Sequence, residues 1–314
     1  MFNACLIGYG YWGSKLARNF QNSEFFNIVS ISDKKVKNLI AAKKNYPLAN
    51  CYKDFKKAIK SDQHNLVIIS SPTATHFKIA KYALENFKHI LVEKPLSLSL
   101  TDVKRLNKIA RDKKKMIFVD YPFLFSGTIN FIKKIIDKNK YGKILEIESF
   151  REQAPVRNDA NVIWDLGTHD ISILLYLINK FPYRIQTIKK KNFKNTLCDS
   201  VYINLKYKNS SNVLIRNSWL SPTKVRLIKI KFQRATLYCD ENESLYKIKI
   251  YKKKFINDWS KYNLEVPEID LNEPLSKMVK YIFYAIKRNN NYLFKKKFNE
   301  KVTFLLDKIN RNNG

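Results

Sequence analysis

The sequence predicts an α/β protein in two parts: an N-terminal parallel sheet with helices on both faces, then an α/β part built on an open, largely antiparallel sheet. Three observations predict this. Short apolar strands alternate with helix-like stretches over the first 120 residues. After that point, several strand-like runs follow one another with short turns between them. The length of 314 residues suits about two domains of ~150 residues. We therefore expect one domain at residues 1–120 and a second at residues 121–314.

The first part contains five short apolar segments and five segments in which apolar residues recur with helical spacing. The predicted strands are Ala4–Ile7, Ile28–Ile31, Leu66–Ser70, Ile90–Val92 and Met116–Val119. The predicted helices are Trp12–Phe20, Val36–Lys44, Phe55–Ile59, Thr75–Asn86 and Leu100–Lys113. Because the strands are apolar throughout, both faces of their sheet must be covered, which is typical of parallel sheets.

The second part is richer in strands. A helix pattern at Thr128–Asp137 precedes a strand at Ile144–Phe150, and a second helix pattern covers Trp164–Ile178. The later elements are predicted strands at Ile185–Ile188, Ser200–Tyr207, Asn212–Trp219, Val225–Phe232 and Ser244–Tyr251, then helices at Leu275–Lys287 and Lys301–Ile309. Consecutive strands joined by short turns favour antiparallel pairing.

The chain is strongly basic, with 59 Lys and Arg against 27 Asp and Glu and a formal net charge of +32. Such a charge suggests a nucleic acid or a membrane surface as a partner. However, 48 of the basic residues are lysines spread along the whole chain, whereas base and phosphate recognition relies on the bidentate fork of arginine. Compositional drift explains the charge better, and we expect no specific nucleic-acid partner.

Other sequence features concern location. No apolar run approaches the ~18 residues that a membrane-spanning helix needs. The N-terminus enters a strand pattern at Ala4 without a charged leader and cleavage site. The cysteines Cys5, Cys51, Cys198 and Cys239 lie far apart, which indicates neither a disulfide framework nor a metal site. We therefore expect a cytoplasmic protein without a membrane span.

Three of the seven glycines fall within six residues, at Gly8, Gly10 and Gly13. They follow the first predicted strand and open the first predicted helix, which is the context in which Gly-x-Gly-x-x-Gly binds a dinucleotide. The first glycine makes a tight turn, the second lets a pyrophosphate approach the backbone, and the third lets the helix pack on the strand. The alternative is a structural glycine turn without a ligand.

Asp33 supports the dinucleotide hypothesis, because it stands twenty residues after Gly13, at the end of the second predicted strand. A carboxylate there accepts hydrogen bonds from the adenosine ribose hydroxyls. It would repel a 2′-phosphate, so NAD is the expected cofactor. Lys34 and Lys35 follow directly and could pair with that phosphate, so NADP stays open as the alternative.

Two further motifs stand at the ends of predicted strands of the same sheet, where open parallel sheets bind ligands. The segment Ser70–His76 follows one strand, and Glu93-Lys94-Pro95 follows the next. A partly desolvated lysine can take part in proton transfer or hydrogen bonding. In isolation, Thr75 would be a helix N-cap and Lys94 a surface salt-bridge residue.

Asp165 and His169 lie four residues apart in a predicted helix and therefore on one face of it. A carboxylate beside an imidazole orients the ring and supports its protonated form, as a general acid or base requires. The spacing also suits metal ligands, but no third ligand is near, so no metal is predicted. The alternative is a structural histidine.

Taken together, the motifs resemble the Gfo/Idh/MocA oxidoreductases over nearly the whole chain. They are Gly-Tyr-Gly-Tyr-Trp-Gly at 8–13, Ser-Pro-Thr-Ala-Thr-His at 71–76, Glu-Lys-Pro at 93–95 and Asp-x-x-x-His at 165–169. The resemblance implies an N-terminal Rossmann domain and a C-terminal domain whose open sheet commonly forms the interface of a dimer or tetramer. It also implies oxidation or reduction of a carbinol on a sugar, inositol or nucleotide sugar with NAD(P).

The resemblance assigns roles to residues of this chain. Lys94 would lie beside the reacting oxygen, His169 would accept or donate the proton, and Asp165 would support it, in a cleft between the two domains. The expected cofactor contacts are Gly8, Gly10, Tyr11, Trp12, Gly13, Asp33, Ser71, Pro72, Thr73, His76, Glu93 and Lys94.

Softer similarities favour members associated with surface-polysaccharide and nucleotide-sugar synthesis. They are carried by Tyr11-Trp12-Gly13 with Arg18-Asn19-Phe20, and by Asn161-Val162-Ile163-Trp164-Asp165-Leu166 with His169-Asp170-Ile171. Such members commonly have His and Asn where Tyr121 and Ser126 stand here. The candidate substrate contacts are Tyr121, Arg151, Arg157, Asn161 and Trp164, with the two arginines suited to a carboxylate or phosphate. Solvated loop arginines are the alternative for those two.

The sequence therefore predicts an NAD(P)-dependent dehydrogenase or reductase acting on a small sugar or nucleotide sugar. Two alternatives remain at this point. One is a glycoside hydrolase of the same family that uses NAD transiently. The other is a non-catalytic nucleotide-binding or nucleic-acid-binding protein, against which the complete set of Lys94, Asp165 and His169 argues.

Overall fold

The computed structural model describes residues 1–60, 64–153, 155–157, 160–192, 198–208, 211–255, 258–291, 293 and 297–312. Contacts divide the chain into two compact units. The first comprises Met1–Pro122 and Glu273–Thr303, and the second comprises Phe123–Asn272 and Phe304–Gly314. The break after Pro122 lies two residues from the boundary that the sequence suggested. The segment Glu273–Thr303, which we expected in the C-terminal domain, groups by its contacts with the first unit.

Fourteen strands and nine helices are present among the described residues. The strands are β1 Phe2–Ile7, β2 Phe26–Ser32, β3 Asn50–Tyr52, β4 Leu66–Ile69, β5 His89–Glu93, β6 Ile117–Asp120, β7 Ile144–Glu152, β8 Arg184–Lys190, β9 Ser200–Lys206, β10 Asn212–Ser218, β11 Val225–Phe232, β12 Ala235–Asp240, β13 Ile248–Phe255 and β14 Asp258–Glu265. The helices are α1 Tyr11–Gln21, α2 Val36–Asn45, α3 Phe55–Lys60, α4 His76–Glu85, α5 Leu100–Asp112, α6 Gly127–Asp137, α7 Thr168–Ile178, α8 Pro274–Lys287 and α9 Phe298–Arg311.

The first unit is built on a six-stranded parallel sheet in the order β3-β2-β1-β4-β5-β6. The strand order reverses between β1 and β4, so right-handed crossovers place α1 and α4 on opposite faces. The four residues of β4 are completely buried, as a strand covered on both faces must be. The prediction of a parallel sheet is confirmed, and the reversal point is where such sheets bind dinucleotides.

Helix α8 belongs to the first unit because its aromatic side chains pack on the start of the sheet. The ring of Phe283 lies 5.2 Å from that of Phe2, 4.9 Å from that of Phe25 and 6.1 Å from that of Phe26, between centroids. Aromatic clusters of this kind bury large apolar areas. They join residues more than 250 positions apart in the chain, which local sequence patterns do not reveal.

The second unit contains an eight-stranded sheet in the order β14-β13-β12-β11-β7-β10-β9-β8. All neighbouring strands are antiparallel except β7 and β10, which pair in parallel. The prediction of an open, largely antiparallel sheet is therefore confirmed. The predicted strand at Ser244–Tyr251 is wrong in its start: β13 begins at Ile248, and Leu245 and Tyr246 are exposed in the turn before it.

The predicted helix at Trp164–Ile178 also differs from the observed one. Its first part, Ile163–Gly167, is a π-helical turn, and the α-helix α7 starts at Thr168. Gly167 allows close packing in this turn, because a Cβ there would lie 3.2 Å from Oδ1 of Asn217 on β10. π-Turns inside helices are rare and occur frequently at functional sites.

Candidate functional site

The dinucleotide loop runs from β1 into α1, and its three glycines have different surroundings. Gly8 has a φ of +96°, which favours glycine, and a Cβ there would lie 2.5 Å from the carbonyl oxygen of Ser70. A Cβ at Gly13 would lie 2.0 Å from the carbonyl oxygen of Gly8. A Cβ at Gly10, by contrast, would meet no atom within 4 Å. The space beside Gly10 therefore admits a ligand, as the approach of a pyrophosphate requires.

The start of α1 suits an anion. The residue before the helix, Gly10, has no side chain that could accept from the first backbone N–H groups, and the first turn carries no acidic residue. The first N–H groups of a helix have no partner within the helix and attract negative charge. Next to the open space at Gly10, this helix start fits the pyrophosphate of NAD.

Asp33 is held at the end of β2 by three hydrogen bonds. Oδ2 accepts from the Tyr9 amide at 2.7 Å and from Nδ2 of Asn38 at 3.0 Å, and Oδ1 accepts from the Lys35 amide at 2.8 Å. A carboxylate oxygen has two lone pairs, so Oδ2 is fully used by its two donors, whereas Oδ1 can accept one further hydrogen bond. The carboxylate is therefore held in place at the end of β2, and its contact with the ribose hydroxyls of a dinucleotide stays a prediction.

The two aromatic residues of the loop differ in their environments. Tyr11 is largely exposed, and its hydroxyl accepts a hydrogen bond from Nζ of Lys15 at 2.8 Å. Trp12 is partly buried and donates its indole N–H to Oδ2 of Asp120, at the end of β6, at 2.7 Å. A hydrogen bond thus connects the dinucleotide loop to β6, the edge strand of the sheet.

The loop after β4 is held together by its own polar groups. The hydroxyls of Ser71 and Thr75 lie 2.7 Å apart, and the Thr75 hydroxyl donates to the carbonyl oxygen of Pro72. Helix α4 begins one residue later, at His76, and the Thr75 side chain does not cap it. Thr73 is buried in the short 3₁₀ turn before α4.

His76 lies in the interior of the first unit and contacts two backbone segments. Its Nδ1 lies 2.9 Å from the carbonyl oxygen of Pro95, and its Nε2 lies 2.8 Å from that of Ser71. The imidazole thereby connects the loop after β4 to the Glu93-Lys94-Pro95 segment, in which the Lys94–Pro95 peptide bond is cis. Direct contact of His76 with a cofactor stays a prediction.

Glu93, which is half-buried, and Asp120, which is completely buried, place two carboxyl groups beside Lys94. They end β5 and β6 and lie opposite each other in the parallel register. Burial raises the pKa of both carboxyls, and for Glu93 the charge of Asp120 raises the pKa further. The charge of Lys94 acts in the opposite direction on both.

In the second unit, Asp165 lies in the π-helical turn and is almost completely buried. Its Oδ2 accepts from the indole N–H of Trp219 at 3.1 Å, and its Oδ1 accepts from Nη1 of Arg157 at 3.4 Å. His169 follows in the first turn of α7, where its ring packs edge-on against Phe123 at 5.1 Å between centroids. Asp165 is thus a fixed charge one turn before His169.

Asp170, the neighbour of His169, is the centre of a buried polar cluster that the sequence did not reveal. Its carboxylate accepts from Oγ of Ser149 at 2.7 Å, from Nδ2 of Asn217 at 2.7 Å and from Nε of Arg151 at 3.2 Å. The donors come from β7 and β10, and Arg151 and Asn217 stand opposite each other in the parallel register. The cluster fixes the start of α7, and with it the backbone of His169.

Arg226 is a second arginine beside this cluster. It lies on the neighbouring strand β11, opposite Arg151. Burial and the charge of Arg151 lower the pKa of Arg226 to about 10. Its Nη1 donates to the carbonyl oxygen of Glu152 and its Nη2 to that of Gln153. The guanidinium group of Arg226 is therefore bound by backbone carbonyl oxygens at the end of β7.

The five candidate substrate contacts occupy different positions. Tyr121, Arg151 and Trp164 are at most 5% exposed, so each is mainly a packing or structural residue in this state. Asn161 accepts from the Trp164 amide and donates to Asn310, which makes it a residue that holds the π-turn. Arg157 is partly exposed and pairs with Asp165. Substrate contact by any of the five stays a prediction.

Among the residues that the structure describes, no His, Cys, Asp and Glu side chains cluster in threes or more as a metal ion would require. No helix among them has the length and apolar character to cross a membrane.

Comparison with known proteins agrees with this geometry. Residues 2–121 match the model of the oxidoreductase family with an NAD-binding Rossmann fold, and residues 129–242 match the GFO/IDH/MocA C-terminal domain. The chain belongs to the Gfo/Idh/MocA family. The two matches cover most of both units, and the first unit is the NAD-binding Rossmann domain of the family.

The curated relatives are distant. The myo-inositol 2-dehydrogenase of Thermotoga maritima is 26% identical over 182 residues, which are 56% of this chain and 54% of the relative. The glucose-6-phosphate 3-dehydrogenase of Bacillus subtilis is 26% identical over 172 residues, which are 47% of this chain and 49% of the relative. The chain therefore spans about half the length of the curated relatives it matches.

Solved structures show the fold over the whole chain. The UDP-N-acetylglucosamine 3-dehydrogenase of Acidithiobacillus ferrooxidans has a TM-score of 0.85 at 17% identity and covers 98% of this chain and 96% of its own. An oxidoreductase of Agrobacterium radiobacter, solved with NAD⁺, L-tartaric acid and magnesium, has a TM-score of 0.83 at 15% identity, with 98% and 94% covered.

Proposed function

We propose that the protein is an NAD-dependent dehydrogenase or reductase that moves a hydride between nicotinamide and a carbinol or carbonyl carbon of a sugar, an inositol or a nucleotide sugar. The observation that carries the proposal is the dinucleotide loop, in which Gly8 and Gly13 are needed by the fold while the space beside Gly10 is open. The names of the relatives, an inositol dehydrogenase, a sugar-phosphate dehydrogenase and a nucleotide-sugar dehydrogenase, support the substrate class.

The proposal gives His169 the proton transfer. NAD, when bound, supplies the acceptor or donor of the hydride. In the oxidative direction His169 takes the proton of the substrate hydroxyl, and Asp165 stabilises the imidazolium that results. Asp165 suits this role because Trp219 and Arg157 hold both of its oxygens. The buried cluster of Asp170 fixes the backbone at His169 and is a positioning element.

The proposal gives Lys94 the stabilisation of the reacting oxygen. An ammonium group donates a hydrogen bond to the oxygen as negative charge develops on it. The support is its position after β5, at the carboxyl edge of the sheet, next to two buried carboxyl groups. Arg157 is the arginine best placed for an anionic substrate group, because Arg151 is buried against Asp170.

The finer predictions from the sequence remain proposals. These are the association with surface-polysaccharide or nucleotide-sugar synthesis, the homo-oligomer, the cytoplasmic location and the lack of a specific nucleic-acid partner. The positive charge of the chain would bring weak, salt-sensitive binding of nucleic acids in any case.

The first experiment is a substrate panel of sugars, inositols and nucleotide sugars, each with NAD⁺ or NADH. Turnover is followed both by the absorbance of the reduced cofactor and by product analysis. Net oxidation or reduction of a panel member supports the proposal. Release of a glycosidic leaving group without net change in reduced cofactor would instead make the protein a hydrolase that uses NAD transiently.

The second experiment tests the residues. His169→Ala and Lys94→Ala should each lower kcat by about 10²–10⁴-fold, the usual loss for a general acid or base, and leave NAD affinity nearly intact. Lys104→Ala, an exposed residue of α5, is the matched control for lysine removal. Asp165→Asn should cost less, because Asn can still accept from Trp219. Wild-type kcat in His169→Ala across the pH range would refute the assigned mechanism.

A further inference from the structure

The paired carboxyl groups of half-buried Glu93 and buried Asp120 are not explained by the proposed chemistry. They stand opposite each other at the ends of β5 and β6, and Asp120 is completely buried. Oε1 of Glu93 and Oδ1 of Asp120 are both shielded from solvent and have no hydrogen-bond partner in the part of the chain that the structure describes. Two ionised carboxylates in such a place would repel each other with little solvent to screen them.

The closeness of the two side chains favours a proton on one of them. They leave β5 and β6 at opposite positions, and one oxygen of each is shielded from solvent. Because an ionised carboxylate can only accept, a hydrogen bond between the two groups needs one proton. Trp12 decides which one: its indole N–H donates to Oδ2 of Asp120 at 2.7 Å, which favours the ionised form on Asp120 and leaves the proton on Glu93.

The surrounding charges agree with a single negative charge on the pair. Glu93 and Asp120 act on each other, and the remaining charged neighbour that acts on both is Lys94. Trp12, from α1, is neutral. The raised pKa of Glu93 has burial as its largest cause and the charge of Asp120 as the next, which is the behaviour of a carboxyl that keeps its proton.

The position of the pair relates it to the cofactor. A dinucleotide lies across the carboxyl edge of the sheet at the reversal between β1 and β4. Asp33, which suits the adenosine ribose, stands at the end of β2 on one side of that point. The nicotinamide half therefore belongs to the other side, where β5 and β6 end with Glu93 and Asp120.

We propose that Glu93 and Asp120 share one proton at neutral pH, and that their single buried negative charge, anchored to Trp12, makes the domain bind NAD⁺, whose nicotinamide ring is cationic, in preference to NADH. The inference rests on NAD binding by the first unit and is independent of the substrate and of His169. The pair acts as a positioning and electrostatic element.

Two variants separate the proton from the charge. Glu93→Gln keeps a donor toward Asp120 and so mimics the protonated glutamate, with the negative charge retained. The double variant Glu93→Gln/Asp120→Asn makes the pair neutral, while the new amides can still bond each other and Trp12. Glu85→Gln, on an exposed glutamate of α4, is the matched control.

The first measurement is infrared spectroscopy of the cofactor-free protein at neutral pH. We expect the carbonyl band of a protonated carboxylic acid in the wild type and in Glu85→Gln, and its loss in Glu93→Gln. A wild type without that band, or a band that survives in Glu93→Gln, would overturn the shared proton. The wild-type spectrum is informative even where a variant folds poorly.

The second measurement is the ratio of the dissociation constants of NAD⁺ and NADH, obtained by calorimetry without substrate. Glu93→Gln should keep the wild-type ratio. The double variant should shift it toward NADH by roughly 3- to 30-fold, the range that Coulomb's law gives for partly screened unit charges in a protein. A shift already present in Glu93→Gln, or none in the double variant, would contradict the proposal. Failure of the substrate panel leaves both measurements unaffected.

Discussion

Replacing Gly10 and Gly13 by alanine separates the space for a ligand from the space needed by the fold, within one loop. At Gly10 the added methyl group would meet no protein atom within 4 Å. At Gly13 it would lie 2.0 Å from the backbone oxygen of Gly8, which is not free to move aside. The same chemical change should therefore weaken NAD binding at position 10 and destabilise the fold at position 13.

The magnitudes follow from these contacts. Gly10 has φ −86° and ψ −161°, an extended conformation that alanine adopts readily, so the cost is that of alanine instead of glycine at a helix N-cap, at most about 1 kcal/mol. The methyl group at position 10 would keep a pyrophosphate from the backbone. Losing one charge-assisted hydrogen bond, worth about 1.5–3 kcal/mol, weakens NAD binding by roughly 10- to 100-fold.

Gly13→Ala should destabilise the first unit itself. The collision with Gly8 corresponds to severe overpacking, at or above the upper end of the usual ~1–3 kcal/mol. For a unit of about 150 residues this lowers the melting temperature by roughly 6–12 °C. The assays are the melting temperature of the cofactor-free protein and the dissociation constant of NADH by titration. A Gly10→Ala variant with wild-type affinity would refute the assignment of the open space to the pyrophosphate, and a Gly13→Ala variant as stable as the wild type would refute the steric argument.

Three further predictions concern pH, cofactor choice and assembly. His89 accepts from the Met116 amide, and burial, with the charge of Lys115, lowers its pKa from 6.5 to about 4. Below pH 6.5 the imidazole is protonated in the unfolded state but not in the folded one. The free energy of unfolding is therefore highest above pH 6.5 and falls by about 3 kcal/mol as the pH drops to 4. Denaturant titrations should show a flatter pH dependence for His89→Asn, and equal slopes would contradict this. Asp33→Ser should narrow the preference for NAD over NADP in cofactor titrations, whereas tighter NADP(H) binding by the wild type would overturn that preference. The outer face of the eight-stranded sheet should form the interface of a homo-oligomer. Leu214→Glu, on an exposed residue of β10, should therefore lower the mass found by light scattering. A wild type that is monomeric at micromolar concentration would refute this prediction.

The fold was predictable where each element carries its own pattern. The apolar strands of the first sheet need cover on both faces, and that requirement does not depend on distant residues. Three strands were missed, namely β3, β12 and β14. The three residues of β3 are too few for a periodic pattern, and β12 follows β11 after only Gln233 and Arg234, neither of which is a typical turn residue. These failures concern length and turns, which local patterns define weakly.

The candidate site was predictable only as single motifs. Gly8, Gly10 and Gly13 could be assigned because the chemistry of the loop needs glycine at fixed spacing. The partners of Asp165 could not, because Trp219 comes from another strand end, 54 residues away. The π-turn also escaped prediction, since nothing in the residue pattern distinguishes its first turn from that of an α-helix.

Asp120 shows most clearly what a sequence leaves open. In the sequence it is an acidic residue after an apolar strand, next to the expected domain boundary, and such a residue is usually solvated. In the structure it is completely buried, because the parallel register places it opposite Glu93 and the crossover through α1 brings Trp12 onto it from 108 residues away. Burying a carboxylate is costly unless a donor and a shared proton compensate. The compensation comes from two residues of the cofactor motifs, and so the same register that hides Asp120 from sequence reasoning places it beside residues that we predict to contact NAD.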